Sequence, residues 1–126
     1  MTERKNFSLI SRIRSVVCAL QGLCDMLRTE PNAWLHLVAT VTVFGLSFWF
    51  RLTVLEWGFI VVSIVAVWTA EAFNTVIEIM VDKISPEYSH EAKRAKDIAA
   101  AAVLITAVGA SVVGLIILGP HFASKF

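Results

Sequence analysis

Four polar side chains interrupt an otherwise apolar stretch: Glu71, Asn74, Glu78 and Asp82. At about 100° per residue they fall within roughly one quarter of a helix circumference. Glu71 and Glu78 would lie two turns apart, about 10 Å along the axis. A basic cluster, Lys93, Arg94 and Lys96, follows beyond a short polar connection, and another carboxylate, Glu30, stands well upstream. Glu30, Glu78 and Asp82 are hard oxygen donors suited to Mg²⁺, and the cations are suited to phosphates. Together they suit phosphoryl transfer from a nucleotide. Glu71 lies deepest in the apolar run, where a poorly solvated carboxylate can take a proton from a hydroxyl. No GxxxxGK[ST] or GxGxxG loop is present, so neither the P-loop nor the protein-kinase phosphate grip is available. The same groups would also serve a proton or cation transporter, or act as interfacial anchors. Residue chemistry alone leaves these three readings open.

The elements that must carry these groups are membrane helices. Of the 126 residues, 57% are hydrophobic and only 17% are charged, and the charges are bunched. That balance excludes an ordinary soluble domain and implies a single all-α integral-membrane domain over residues 1–126. The basic residues form no continuous stripe, which argues against nucleic-acid binding. Cys18 and Cys24 have no ligand or CxxC spacing and are expected to be reduced packing residues. The polar start, Met1 to Asn6, does not have the pattern of a cleaved signal peptide.

Residues 7–28 repeat apolar side chains at steps of three and four (Ile10, Ile13, Val17, Leu20, Cys24, Leu27), with Arg12, Arg14 and Arg28 at the edges. This predicts an amphipathic helix lying on the bilayer surface. Thr29-Glu30-Pro31-Asn32 reads as a break, with Thr29 as cap and Pro31 in the first turn of the next helix. Spans are expected over about 32–50, 55–81 and 97–118. Trp34 and Trp49 would anchor the first, and His36 inside it reads as a structural hydrogen-bonding residue. Residues 51–56 read as a turn and 84–94 as a polar loop with Ser85-Pro86 as helix stop; Gly119-Pro120 should end the last helix. Ala102, Thr106, Ala110 and Gly114 place small residues at every fourth position, which would admit a close helix. Arg4, Lys5, Arg12, Arg14 and Arg28 precede the first span, and Lys83, Lys93, Arg94 and Lys96 lie between the second and third. The positive-inside rule therefore sets the N-terminus and the 84–94 connection in the cytoplasm, and puts Glu30 on the same face as the Glu71–Asp97 region.

The strings Glu71-Ala-Phe-Asn74-Thr75-Val-Ile-Glu78 and Val81-Asp82-Lys83-Ile-Ser-Pro-Glu87-Tyr88, followed by Arg94-Ala-Lys96-Asp97, resemble the signature of the prokaryotic diacylglycerol kinase family, which includes undecaprenol kinases. The similarity extends through Gly22, residues 27–32 and His36. The resemblance implies a homotrimeric kinase of the bacterial plasma membrane, with a surface helix and three spans per subunit. It would use Mg²⁺ and ATP to phosphorylate a lipid alcohol at the cytosolic face, in sites shared between subunits. By position, Glu71 resembles the catalytic base, and Glu30 and Glu78 the ligands of the metal–nucleotide complex. Asn74, Asp82, Glu87, Tyr88, Lys96 and Asp97 match further nucleotide-binding positions.

The chain departs from the diacylglycerol type at four positions. Ser11 stands where an N-terminal arginine contacts nucleotide, with Arg12 beside it, and Cys18 replaces an aromatic residue. Asn32 and His36 follow the undecaprenol-type pattern, which favours undecaprenol over diacylglycerol as substrate. Arg12, Arg14 and Trp34 are further candidates for contact with nucleotide or lipid.

Overall fold

The computed structural model describes residues 8–126. Arg4 and Lys5 of the charge argument, and residue 7 of the expected surface helix, lie outside the described residues. Four helices follow one another: α1 (Leu9–Thr29), α2 (Pro31–Trp49), α3 (Val54–Ile84) and α4 (His90–Lys125). The last three are long and apolar enough to cross a membrane. With 31 and 36 residues, α3 and α4 measure about 46 and 54 Å, well beyond a hydrocarbon core of about 30 Å. Their charged ends therefore project into the headgroup region and beyond.

Local chemistry sets each boundary. Pro31 disfavours helical backbone at the residue before it, and Glu30 is accordingly extended, the single residue separating α1 from α2. Thr29 does not cap α2 as expected: its hydroxyl donates to the Asp25 carbonyl (2.9 Å), a bond within α1, and Glu30 occupies the cap position without using its side chain. At α3 the Thr53 hydroxyl accepts from the Glu56 N–H while the Glu56 carboxylate accepts from the Thr53 N–H at 2.8 Å. This capping box starts the helix at Val54, inside the expected turn. Helix α3 stops at Ile84, ahead of Ser85-Pro86. The Ser89 hydroxyl then accepts from Ala92 N–H at 3.0 Å and starts α4 at His90, so the polar connection is shorter than 84–94.

Gly119-Pro120 does not end the last helix, which runs through to Lys125. Proline there forfeits one backbone hydrogen bond, but tertiary contacts hold the segment beyond it. His121 stacks on Phe50 at 5.5 Å, Phe122 meets the same ring edge-on at 4.8 Å, and Lys125 lies over Trp49 at 5.0 Å. His121 Nε2 also lies 3.0 Å from Glu56 Oε1. This aromatic clasp borders the main packed cluster of Leu52, Ile60, Ile117 and Leu118, on the α2–α3 turn side of the bundle.

Helices α3 and α4 form the principal pair, with α2 lying against α3. Much of the remaining apolar surface is uncovered, including Ile10, Ile13, Val17 and Leu20 of α1 and Phe48, Val54, Ile105 and Leu115 of the long helices. Such a surface is stable only against lipid or other subunits. A Cβ placed on Gly114 would meet nothing within 4 Å, so no other helix of this chain approaches closely at that position of the small-residue row. Ala110 and Gly114 instead line an apolar groove of about 510 Å³ that begins at His36.

Candidate functional site

Glu71 is 0% exposed and is among the largest fully buried side chains of the described residues. Sequence position suggests a carboxylate next to lipid; it is instead enclosed by protein. Asn74 and Thr75, in the next turn, are also buried. The Thr75 hydroxyl donates to the Glu71 carbonyl at 3.0 Å, satisfying itself within the helix. On α2, His36 Nε2 lies 3.2 Å from Glu71 Oε2. A carboxylate can only accept, so with Glu71 ionised Nε2 carries the hydrogen and donates it. Glu71 Oε1 and Asn74 Oδ1 have no partner. Asn74 Nδ2 reaches toward Glu78 Oε1 at 3.4 Å, a long bond. The row from Glu71 to Glu78 is thus linked at its Glu71 end to α2 and carries two orphan oxygens, on Glu71 and Asn74.

Glu30 approaches this row from the α1–α2 junction. Partial burial, then the negative charges of Glu78 and Glu71, push its carboxyl above the usual carboxylate range. Carboxylates that destabilise one another in this way form a field that a divalent cation would offset. Among the described residues no three His, Cys, Asp or Glu side chains gather closely enough to hold a metal ion alone. Mg²⁺ commonly takes only one or two protein carboxylates and completes its shell with water and phosphate oxygens.

The remaining candidates divide between two faces of α4. Lys96 donates to Asp82 across the α3–α4 pair, on the side of the carboxylate row. Asp97 accepts from Lys93 one turn earlier on its own helix. Tyr88, Lys93, Arg94 and Asp97 line a separate open depression of about 680 Å³. Glu87 lies in the exposed connection, where its backbone carbonyl accepts from the Ser85 hydroxyl at 3.2 Å. The chain therefore does not gather Glu30, Asn74, Glu78, Glu87, Tyr88, Lys96 and Asp97 into one pocket. Arg12 and Arg14 are exposed on α1, and Trp34, 56% exposed, faces away from the bundle while its neighbour Ala33 is fully buried.

Three residues complete the arrangement around Glu71: His36, expected from sequence as a structural hydrogen-bonding residue, and Thr40 and Trp68, which the sequence reading did not single out. His36 joins it directly. The Thr40 hydroxyl donates to the His36 carbonyl at 2.6 Å and accepts from Trp68 Nε1 at 2.9 Å. The Trp68 ring meets the His36 imidazole edge-on at 6.4 Å. Helical spacing gave a signal: Thr40 is one turn after His36, and Trp68 one turn before Glu71.

The family described as prokaryotic diacylglycerol kinase matches residues 17–118. The chain is 37% identical over 107 residues to an undecaprenol kinase of Bacillus subtilis (strain 168), covering 85% of this chain and 87% of the relative. It is 33% identical over 85 residues to a diacylglycerol kinase of Escherichia coli (strain K12), covering 68% and 70% respectively. A diacylglycerol kinase of Shigella flexneri matches to the same extent.

Proposed function

The chain belongs to the prokaryotic diacylglycerol kinase family, and from that premise we propose that it is an ATP-dependent lipid kinase acting on a long-chain membrane alcohol, with undecaprenol as the substrate in preference to diacylglycerol. The observation that carries the reading is the state of Glu71: a buried carboxylate with one oxygen against His36 and the other without a partner. A general base needs such a free lone pair, shielded from water, within reach of a hydroxyl. Glu71 is sealed in the isolated chain, so the alcohol reaches Oε1 only when neighbouring side chains part.

In this mechanism Glu71 takes the proton of the alcohol as its oxygen bonds to the γ-phosphorus. The bond from that phosphorus to the β,γ-bridging oxygen breaks, and the products are the lipid phosphate and ADP. Glu30 and Glu78 would hold Mg²⁺, which when bound neutralises phosphate charge. Asn74 steadies Glu78, and Lys96, oriented by Asp82, offsets negative charge on the transferring group. Asp97, Glu87 and Tyr88 complete the nucleotide contacts, with Arg12, Arg14 and Trp34 at the edge toward nucleotide or headgroup. The protein resides in the bacterial plasma membrane with its N-terminus in the cytoplasm. It works as a homotrimer, which would bring the two faces of α4 into shared sites. Asn32 and His36, together with the higher identity to the undecaprenol kinase, support the substrate preference. The family assignment lends nothing to the transporter alternative.

The test is phosphorylation of both lipids side by side by purified protein in bilayers with Mg²⁺ and ATP. Undecaprenol should turn over with the higher kcat/KM. Glu71→Gln should lose about 10²–10⁴-fold in kcat with nucleotide affinity retained. A Gln variant with near-normal kcat would refute the base assignment.

A further inference from the structure

Glu71 is not held by its own helix alone. The Trp68 indole N–H donates to Thr40, the Thr40 hydroxyl donates to the His36 carbonyl, and His36 Nε2 meets Glu71 Oε2. Trp68 and Glu71 are one turn apart on α3, as are His36 and Thr40 on α2. The contacts therefore form a closed circuit that leaves α3, crosses to α2, and returns to α3 at the carboxylate. Of the buried side-chain atoms in it, Glu71 Oε1 is the one without a partner.

We infer that His36 is the positioning residue for the base: its Nε2–H fixes the Glu71 carboxylate in the rotamer that leaves Oε1 free for the substrate hydroxyl. The inference rests on the reading of Glu71 as base and extends it to a residue that does not touch the reacting atoms. Without a donor on Oε2, the carboxylate would turn about its last torsion, which is broad for an sp³–sp² bond, and Oε1 would no longer be presented in one direction. Misplacement of about 1 Å in a reacting group costs on the order of 10²-fold in rate. The Trp68 ring against the imidazole and the Thr40 hydroxyl under the His36 backbone keep the donor itself from wandering. His36 is partly exposed where Glu71 is not (side-chain exposures 16% and 0%), which suits a support at the rim of the base.

Replacement separates this role from a merely structural one. His36→Leu removes the donor, whereas His36→Gln retains an N–H close to the Nε2 position. With undecaprenol, Mg²⁺ and ATP in bilayers, His36→Leu should lower kcat about 10- to 100-fold with the KM for ATP unchanged. His36→Gln should recover kcat to within a few-fold of the parent. In a Glu71→Gln background, His36→Leu should change the residual rate less than about two-fold, because there is no longer a base to orient. The inference is overturned if His36→Gln is as slow as His36→Leu, if His36→Leu is as fast as the parent, or if His36→Leu costs the same factor with and without Glu71. Should His36→Leu fail to assemble, Trp68→Phe carries the test. It removes the indole N–H of the circuit together with part of the ring that meets the imidazole, and should lower kcat about 3- to 10-fold at unchanged KM for ATP; an unaltered kcat would overturn the inference. Normal turnover by Glu71→Gln alone would refute the base reading instead, so the two failures are distinguishable.

Discussion

A buried carboxylate with an unpartnered oxygen is kept at a cost to stability, and that cost can be measured by removing it. Glu71→Leu eliminates the orphan Oε1, which, as part of a charged group, costs the folded state about 3 kcal/mol or more. It also loses the bond to His36, a contribution of about 1.5–3 kcal/mol because the acceptor is charged. His36 is not sealed, so its freed N–H can turn toward other partners and adds little penalty. The balance favours Glu71→Leu by about 1 kcal/mol, or about 3–6 °C in Tm for a chain of this size. Glu71→Gln should gain nothing, because it leaves an unpaired polar atom at the same place. Stability should therefore rank Leu above the parent, with Gln level or below, while both variants lose turnover. Thermal unfolding in detergent followed by circular dichroism, with kinase activity measured on the same samples, tests the ranking. If Glu71→Leu proves less stable than the parent by 1 kcal/mol or more, the carboxylate is a structural linchpin and the free-oxygen reasoning is wrong.

Three further outcomes follow from the same geometry. The Glu30 carboxyl is held above its ordinary range, so the folded state binds more protons than the unfolded one as pH rises from the ordinary carboxylate range to the raised value, and stability falls across that window. Metal-free Glu30→Gln should therefore melt above the parent at neutral pH and match it at pH values below the ordinary carboxylate range; a difference that persists there would refute the electrostatic cause. Glu78→Ala should raise the KM for ATP by tenfold or more, since it removes the proposed ligand of the metal–nucleotide complex and the partner of Asn74; an unchanged KM would remove Glu78 from that role. Pro120→Ala should stabilise the chain by about 1–3 kcal/mol in denaturant titrations, because it restores a backbone donor inside a continuous helix. A loss of stability there would mean that the proline shapes the aromatic clasp.

What could be read from sequence was what a single helix dictates. The row Glu71, Asn74, Glu78 and Asp82 is legible because helical periodicity alone puts those side chains on one face, and the three apolar helices are legible because composition over some twenty residues suffices. Partners across helices were not. His36 reads as a lone histidine because its meaning depends on the register of α2 against α3, which no local spacing encodes, and Trp68 reads as one more apolar residue although its N–H closes the circuit. Pro120 misleads for the same reason: its local signal is a stop, but Phe50 and Glu56, far earlier in the chain, hold the helix beyond it.

The division of the candidate nucleotide residues follows the same physics one level up. Lys96 turns toward Asp82, while Asp97 and Tyr88 open onto another surface, so residues adjacent in sequence serve different neighbours. In the proposed reading Glu30 and Glu78 would supply two carboxylates to the metal–nucleotide complex, while Asp97 and Tyr88 line another surface. The uncovered apolar surface of the long helices is what would let copies meet in the membrane plane and bring those surfaces together. The proposed homotrimer would bring the positions that the sequence motif groups together onto one nucleotide, whereas the closed circuit around Glu71 lies within a single chain.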